Sequence, residues 1–275
     1  MWLLVTALVF APSPAADPPV VAGKPAVTNG NARDGIVYRP SVDVPITIAA
    51  LAGAGLFNAA SIAHCRWCDL GPDGLTQLNG LDRWAGGARW VNRSSAAGES
   101  SKALAAGVVA SFGLLTLSTG AANRDKLADL GMCIESIAVT EALTGFSKVL
   151  TRRARPYTHD AGFVGPGSKD GNRSFFSGHA SMAFATVASA ASVAGFRPES
   201  AGRRKAILAI GLPLAAATSY LRIAAGQHYL TDVLAGAAVG SAVGVLVPRL
   251  HLRHQRVSLT LRPAVGAGGS IVASW

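Results

Sequence analysis

The chain has 275 residues, of which 50% are hydrophobic and only 15% are charged. This composition excludes a disordered or fibrous chain, and it is too poor in charge for the surface of an ordinary soluble enzyme. Aromatic residues make up only 7%, so small and aliphatic residues dominate, as in helices that pack closely in lipid. The formal charge of +10 leaves three candidate partners: nucleic acid, anionic lipid headgroups or a phosphate-containing ligand.

The N-terminal region divides into two segments. Residues 1–16 contain an apolar run followed by small residues, which is typical of a signal peptide, although no basic residue precedes Lys24. The run is shorter than the roughly 20 residues that a membrane span needs. Residues 1–16 are therefore either a cleaved signal peptide or a retained apolar segment. Residues 17–43 lack a helical period and are predicted to form an extended leader.

Six apolar stretches then predict an all-α domain over residues 44–250, a bundle of about six helices that cross the membrane. The third stretch contains Glu135 and Glu141 and the fourth contains His179, so these polar side chains should face the bundle interior. A buried bundle that does not cross a membrane is the alternative. The stretches are 45–63, 103–121, 128–150, 175–196, 206–226 and 231–248.

Two further patterns concern packing. Gly236, Gly240 and Gly244 recur every four residues on one helix face, which allows a neighbouring backbone to approach closely. The C-terminal tail, residues 251–275, alternates apolar and polar residues around a glycine-rich turn, which predicts a short β-hairpin.

Three polar clusters lie at the ends of predicted helices. Lys148 and Arg155 are seven residues apart, which would place them on one helix face that ends at Pro156. Ser177, Gly178 and His179 begin the fourth apolar helix, where free backbone N–H groups favour an anion. These two clusters predict that cations and a helix N-terminus converge at one face of the bundle.

The third cluster adds reactive groups. Arg222, His228 and Asp232 span the connection between the last two helices, and an aspartate near a histidine can orient the imidazole ring. Together the clusters supply three cations, two histidines and a carboxylate. This set suits a tetrahedral phosphate and its transfer through a covalent histidine intermediate.

At these residues the chain resembles the type 2 phosphatidic acid phosphatase superfamily. Its signature is K-x-x-x-x-x-x-R-P, then P-S-G-H, then S-R-x-x-x-x-x-H-x-x-x-D. The first part matches at Lys148, Arg155 and Pro156. In the second and third parts, Phe176 replaces the usual proline and Leu221 replaces the usual serine. The resemblance covers about residues 148–232.

The resemblance implies a role for each matched residue. His228 would attack phosphorus, Asp232 would fix its tautomer, and His179 would protonate the leaving group and then activate water. The phosphate oxygens would be bound by the remaining residues, with no metal and no cofactor required. These are Lys148, Arg155, Ser177, Gly178 and Arg222.

The other polar residues are interpreted structurally. Cys65 and Cys68, beside His64, are assigned to a structural role on the first loop rather than to a zinc or redox site. Arg152 and Arg153 are interpreted as surface charge or as contacts to anionic lipid, with a supplementary role in substrate binding as the alternative. Glu135 and Glu141 are expected to form interhelical hydrogen bonds, with proton transfer as the alternative.

The sequence therefore predicts a membrane phosphatase that hydrolyses a lipid phosphate or lipid pyrophosphate. A basic loop around residues 197–205 favours the cytoplasmic side, which puts the site at the periplasmic face of a bacterial inner membrane. A cleaved signal peptide followed by six spans would reverse this orientation. The alternatives are a soluble periplasmic acid phosphatase, a vanadium-dependent haloperoxidase, and a non-catalytic transporter or lipid-binding protein. Nucleic acid is disfavoured because the basic residues are scattered among loops.

Overall fold

The computed structural model describes residues 35–60, 64, 66, 78–86, 95–117, 122–159, 170–197 and 201–252, with the backbone of 258–262 and 270–274. The segment 1–16, most of the leader, and both Cys65 and Cys68 lie outside these residues. Seven helices occur in the described part: α1 Pro40–Ala59, α2 Gly80–Gly86, α3 Ser95–Leu117, α4 Asn123–Thr151, α5 Gly178–Gly195, α6 Ala201–Ala224 and α7 Leu230–Leu250.

The all-α prediction is confirmed, and the six long helices correspond to the six apolar stretches. The sequence does not predict α2, because seven residues are too short for a clear apolar period. Helix α1 begins at Pro40, inside the predicted leader, because proline is well suited to the first turn of a helix. In the tail, β1 (Ser258–Arg262) and β2 (Ser270–Ser274) pair antiparallel, with Leu259 opposite Ala273.

Three helices of the described part, α1, α6 and α7, are long and apolar enough to cross a membrane. Their outer faces carry exposed apolar side chains, among them Ile48, Leu56, Ile210 and Leu250. Aliphatic side chains at such positions are stable in hydrocarbon and unfavourable in water. The crossing of the membrane by α3, α4 and α5 stays a prediction.

Helix α5 lies at the centre and packs against α3, α4, α6 and α7. It is mostly buried, and one apolar cluster joins its Val187 to Val108 and Phe112 of α3 and to Ile207 of α6. The close approach predicted for the glycines of α7 is confirmed on its other side. A Cβ atom on Gly236 would lie 2.7 Å from the carbonyl oxygen of Ser177, and one on Gly244 would lie 2.5 Å from that of Ala185.

Candidate functional site

The C-terminal end of α4 positions the first two cationic side chains of the site. Helix α4 stops at Thr151, and Arg152 adopts a left-handed conformation with φ 48°. The prediction that Lys148 and Arg155 share one helix face is therefore wrong, because the chain leaves the helix before Arg155. The two side chains still meet, since the left-handed residue turns the chain back towards the bundle. A 3-10 turn, Pro156–His159, follows Arg155 directly.

The start of α5 contributes a histidine to the site. Ser177 is the N-cap residue of α5, and its Oγ accepts a hydrogen bond of 3.4 Å from the backbone N–H of Ala180. Gly178 lies beside Lys148: a Cβ atom on Gly178 would be 3.5 Å from the Lys148 Nζ. Ser177 and Gly178 are buried, whereas His179 points into a cavity.

The connection between α6 and α7 supplies the third group of residues. Arg222 lies in the last turn of α6, and Gly226 takes a positive φ of 65°, which reverses the chain before His228. The backbone N–H of Ser177 donates to the carbonyl of Asp232 over 3.0 Å, so the starts of α5 and α7 are joined directly.

These three regions enclose one cavity of about 620 Å³. Five of the eight predicted site residues line it: Lys148, Arg155, His179, Arg222 and His228. The other three, Ser177, Gly178 and Asp232, stand behind this first layer. Lys102, Glu99, Tyr157, Asp170 and Gln227 also face the cavity. The lining thus holds four Lys and Arg side chains against two carboxylates, an environment that attracts an anion.

The tautomer of His228 follows from its surroundings. Its Nδ1 lies 2.8 Å from the carbonyl oxygen of Ser174, and because a carbonyl only accepts, Nδ1 carries the proton. Burial lowers the pKa of His228 well below its ordinary value, and the positive charges of Arg155 and Arg222 lower it further. The ring is therefore neutral at neutral pH, and its Nε2 lone pair is free to act as a nucleophile.

Asp232 does not bond to His228 directly. Its Oδ2 is 3.7 Å from the His228 Nδ1, and it accepts instead from the Ser174 Oγ at 2.5 Å and the Tyr229 backbone N–H at 2.9 Å. The direct contact implied by the resemblance is thus replaced by a relay, in which Ser174 binds Asp232 through its hydroxyl and His228 through its carbonyl.

The interpretation of Arg153 as a surface charge is wrong. Arg153 is fully buried and donates to Asp232 Oδ1 at 2.6 Å and to Asp82 Oδ2 at 2.8 Å. Asp82 belongs to α2 and also accepts from the backbone N–H of Thr231 at 2.8 Å. The left-handed turn at Arg152 directs Arg153 inward, while Arg152 itself remains exposed. A buried ion network thus fixes the start of α7, next to His228.

Gln227 links the two guanidinium groups of the cavity. Its Oε1 accepts from Arg155 Nη1 at 2.8 Å and from Arg222 Nη2 at 3.4 Å. Arg155 is also paired with Asp170 over 2.9 Å. The Nε of Arg222 is buried and has no hydrogen-bond partner among the described residues, so this donor is available to an anion.

Sequence reasoning missed Asp82, Arg153, Ser174 and Gln227. Ser174 lies two residues before Phe176, and Gln227 is a variable position of the third motif, directly before His228. This proximity to the motifs is the only sign of them in the sequence. The isolated Asp82 gives no sequence signal, because its partners are 71 and 149 residues away along the chain.

Comparison with known proteins gives one family match and one similar solved structure. Residues 130–256 match the sequence model of the PAP2 superfamily. A solved structure of a transmembrane PAP2-type phosphatidylglycerolphosphate phosphatase from Bacillus subtilis is 19% identical to this chain. The alignment covers 76% of this chain and 94% of that one, with a TM-score of 0.47. No curated protein matches the chain.

Proposed function

Because residues 130–256 match the sequence model of the PAP2 superfamily, we propose that the protein is a phosphatase that hydrolyses lipid phosphates or lipid pyrophosphates through a phosphohistidine intermediate. The observation that carries this proposal is the convergence of His179, His228 and three cationic side chains on one cavity. The three motifs lie at three separate helix ends, and the fold brings these ends together around the cavity.

Substrate binding uses the cations. Lys148, Arg155 and Arg222 surround the oxygens of the phosphoryl group, and the unpaired Nε of Arg222 donates to one of them. Gln227 keeps the two guanidinium groups in place before substrate arrives, so little reorganisation is needed when negative charge grows in the transition state. Gly178 allows the Lys148 ammonium to lie close to the start of α5. Ser177 acts by capping α5.

The chemistry proceeds in two steps. The bound phosphate is an anion that favours the protonated form of His179. The Nε2 lone pair of His228 attacks phosphorus, the bond from phosphorus to the leaving oxygen breaks, and protonated His179 gives its proton to that oxygen. Neutral His179 then takes a proton from a water molecule, which attacks the phosphohistidine and releases phosphate and neutral His228. During both steps the Nδ1 proton of His228 stays bonded to the Ser174 carbonyl, which stabilises the charge that develops on the ring.

The lipid character of the substrate is supported by the surroundings of the site. Arg222 ends α6, and His228 lies just before α7, and both helices are long and apolar enough to cross a membrane. A phosphate held at the ends of such helices lies at the level of lipid headgroups. Candidate substrates are phosphatidate, phosphatidylglycerophosphate and undecaprenyl pyrophosphate.

The test is phosphate release by the purified protein in detergent from these three lipids and from p-nitrophenyl phosphate, a water-soluble ester. We expect at least one lipid to be hydrolysed more efficiently than the soluble ester. His228→Ala should lower kcat by about 10³-fold or more, because the nucleophile is lost. His179→Ala should slow turnover by about 10² to 10⁴-fold.

The covalent step has its own readout. In His179→Ala, an acid-labile phosphohistidine should accumulate on His228 and be located by peptide mass spectrometry. His64→Ala is the matched control, since His64 is an exposed histidine that does not line the cavity, and it should keep wild-type activity. Normal turnover by His228→Ala would exclude the mechanism. A preference for the soluble ester would support a soluble acid phosphatase instead.

A further inference from the structure

A second polar cluster lies at the other end of α7 from the phosphate cavity. Asp43 of α1, Glu135 of α4 and His251, which follows α7, are all buried, with exposed fractions of 8%, 6% and 8%. One donor atom from each lies within 4.8 Å of the other two. The 21 residues of α7 separate this cluster from the start of that helix by about 32 Å, at a rise of about 1.5 Å per residue.

The imidazole of His251 is held in one orientation. Its Nδ1 donates a hydrogen bond of 2.9 Å to the carbonyl of Val247, which leaves Nε2 facing the two carboxylates. Nε2 is 3.5 Å from Asp43 Oδ2 and 3.3 Å from Glu135 Oε2. A histidine whose second nitrogen is bonded to a backbone carbonyl is the usual arrangement of a metal ligand, because that bond fixes the tautomer and the ring.

Glu135 provides an independent sign of a missing partner. Its Oε2 is buried and makes no well-aligned hydrogen bond in the described part of the chain, although it lies 3.3 Å from the His251 Nε2. Two carboxylates and one imidazole also carry a net negative charge whether or not the ring is protonated, and a buried charge that lacks full compensation is costly. We propose that Asp43, Glu135 and His251 bind one divalent transition-metal ion, with zinc as the best fit.

The donor spacing supports this choice. Zinc bonds of about 2.0 to 2.2 Å in tetrahedral geometry place neighbouring donor atoms about 3.3 to 3.6 Å apart. The two separations measured from the His251 Nε2 lie in this range. A mixed nitrogen and oxygen donor set suits zinc, whereas magnesium prefers six oxygen ligands.

The ion joins three parts of the chain. Tyr38 stacks on the His251 ring with centroids 5.7 Å apart, and the backbone N–H of Val37 donates to the His251 carbonyl over 2.7 Å. A metal here ties the start of α1 to the middle of α4 and to the end of α7. Its role is structural, and it is separate from the phosphatase reaction.

The experiment uses the full chain, purified in detergent without a polyhistidine tag and stripped with a chelator. Zn²⁺ is added, unbound ion is removed by gel filtration, and bound zinc is counted by mass spectrometry. Glu135→Gln and Asp43→Asn keep the size of each side chain and remove its charge. Asp129→Asn is the matched control, because Asp129 is a buried carboxylate of α4 that pairs with Arg197 outside the cluster.

We expect the wild type and Asp129→Asn to bind one equivalent of zinc more than either cluster variant. Zinc should raise the thermal midpoint of the wild type, and magnesium should not. Each cluster variant should bind zinc at least about 100-fold more weakly, because it loses a direct ligand, and losing even a group that only hydrogen-bonds to a ligand costs about 10- to 100-fold. Co²⁺ bound to the wild type should show the strong visible absorption of a tetrahedral site, a readout that depends on no variant.

Equal zinc binding by Glu135→Gln and the wild type would overturn the proposal. So would a wild-type protein that takes up no zinc, since the cluster would then be an ion pair between protonated His251 and the two carboxylates. Phosphate release is measured on the same stripped samples, and activity that persists without zinc separates this site from the catalytic one.

Discussion

At the residue scale, the buried charged side chains next to the cavity position the site as much as the residues that line the cavity do. Arg153 pairs with Asp232 and Asp82, and the exposed fraction of all three side chains is zero. Asp232 in turn accepts from Ser174, whose carbonyl binds His228. The position of the proposed nucleophile therefore depends on an arginine that never touches the substrate.

Replacing Arg153 tests this dependence. Arg153→Met should lower the free energy of unfolding by about 3 to 5 kcal/mol, because it leaves Asp82 and Asp232 buried without a counter-ion. Chemical denaturation followed by tryptophan fluorescence measures this loss. Adding Asp82→Asn to Arg153→Met should recover part of it, since one uncompensated charge is removed.

Arg152→Met is the matched control, because the adjacent Arg152 is exposed and pairs with no carboxylate in the described structure. It should change the stability by less than about 0.5 kcal/mol. Equal stabilities for the two methionine variants would show that the buried network contributes little.

At the element scale, the contact of α7 with α5 sets the geometry of the site. A Cβ atom on Gly240 would collide with the carbonyl group of Ser181, and a backbone atom cannot move aside as a flexible side chain can. Glycine is thus required by the distance between two helices and not by backbone dihedral angles.

Gly240→Ala should therefore destabilise the protein by about 1 to 3 kcal/mol and lower activity, because α7 must move away from α5. Gly113→Ala is the matched control: Gly113 lies in α3 with no atom within 4 Å of an added Cβ, and alanine favours helix. The thermal midpoint should fall in the first variant and stay the same or rise in the second. A rise in both would exclude close packing at Gly240.

At the scale of the whole molecule, the orientation in the membrane is our remaining expectation. Lys102 lines the cavity, whereas Lys205 lies near the start of α6, whose last turn carries Arg222. We propose that the cavity faces the periplasm and the start of α6 faces the cytoplasm. Arg197 belongs to the basic loop around residues 197–205. It also pairs with Asp129 at 2.7 Å and so stabilises the fold.

Cysteine labelling tests the sidedness. In a variant whose native cysteines are serine, Lys102→Cys should react with a membrane-impermeant thiol reagent in intact spheroplasts, and Lys205→Cys should react only after lysis. The reverse pattern would place the site inside. Labelling of both before lysis would indicate a domain that does not span the membrane.

How much the sequence predicts depends on the range of the interaction. The long helices follow from apolar composition, and the glycine stripe from a spacing of four within one helix. Five cavity residues follow from short motifs whose members sit at helix ends. Arg153 and Asp82 escape prediction because their partnership is set by tertiary folding. Arg155 lines the cavity as predicted, although it does not lie on the helix face from which the spacing predicts it. The left-handed turn at Arg152 has no sequence signal, since arginine has no preference for that conformation.

The hydrogen bond from the Ser177 backbone to Asp232 has a mechanical consequence. His179 lies in α5 and His228 just before α7, so the proposed acid and the proposed nucleophile are held by two helices that are in backbone contact at Gly236. The cations come instead from the ends of α4 and α6. Movement of α4 or α6 would change the width of the cavity entrance, and so the size of headgroup that fits, while the distance between the two imidazoles stays constant. Substrate range and catalytic alignment can therefore vary independently in this architecture.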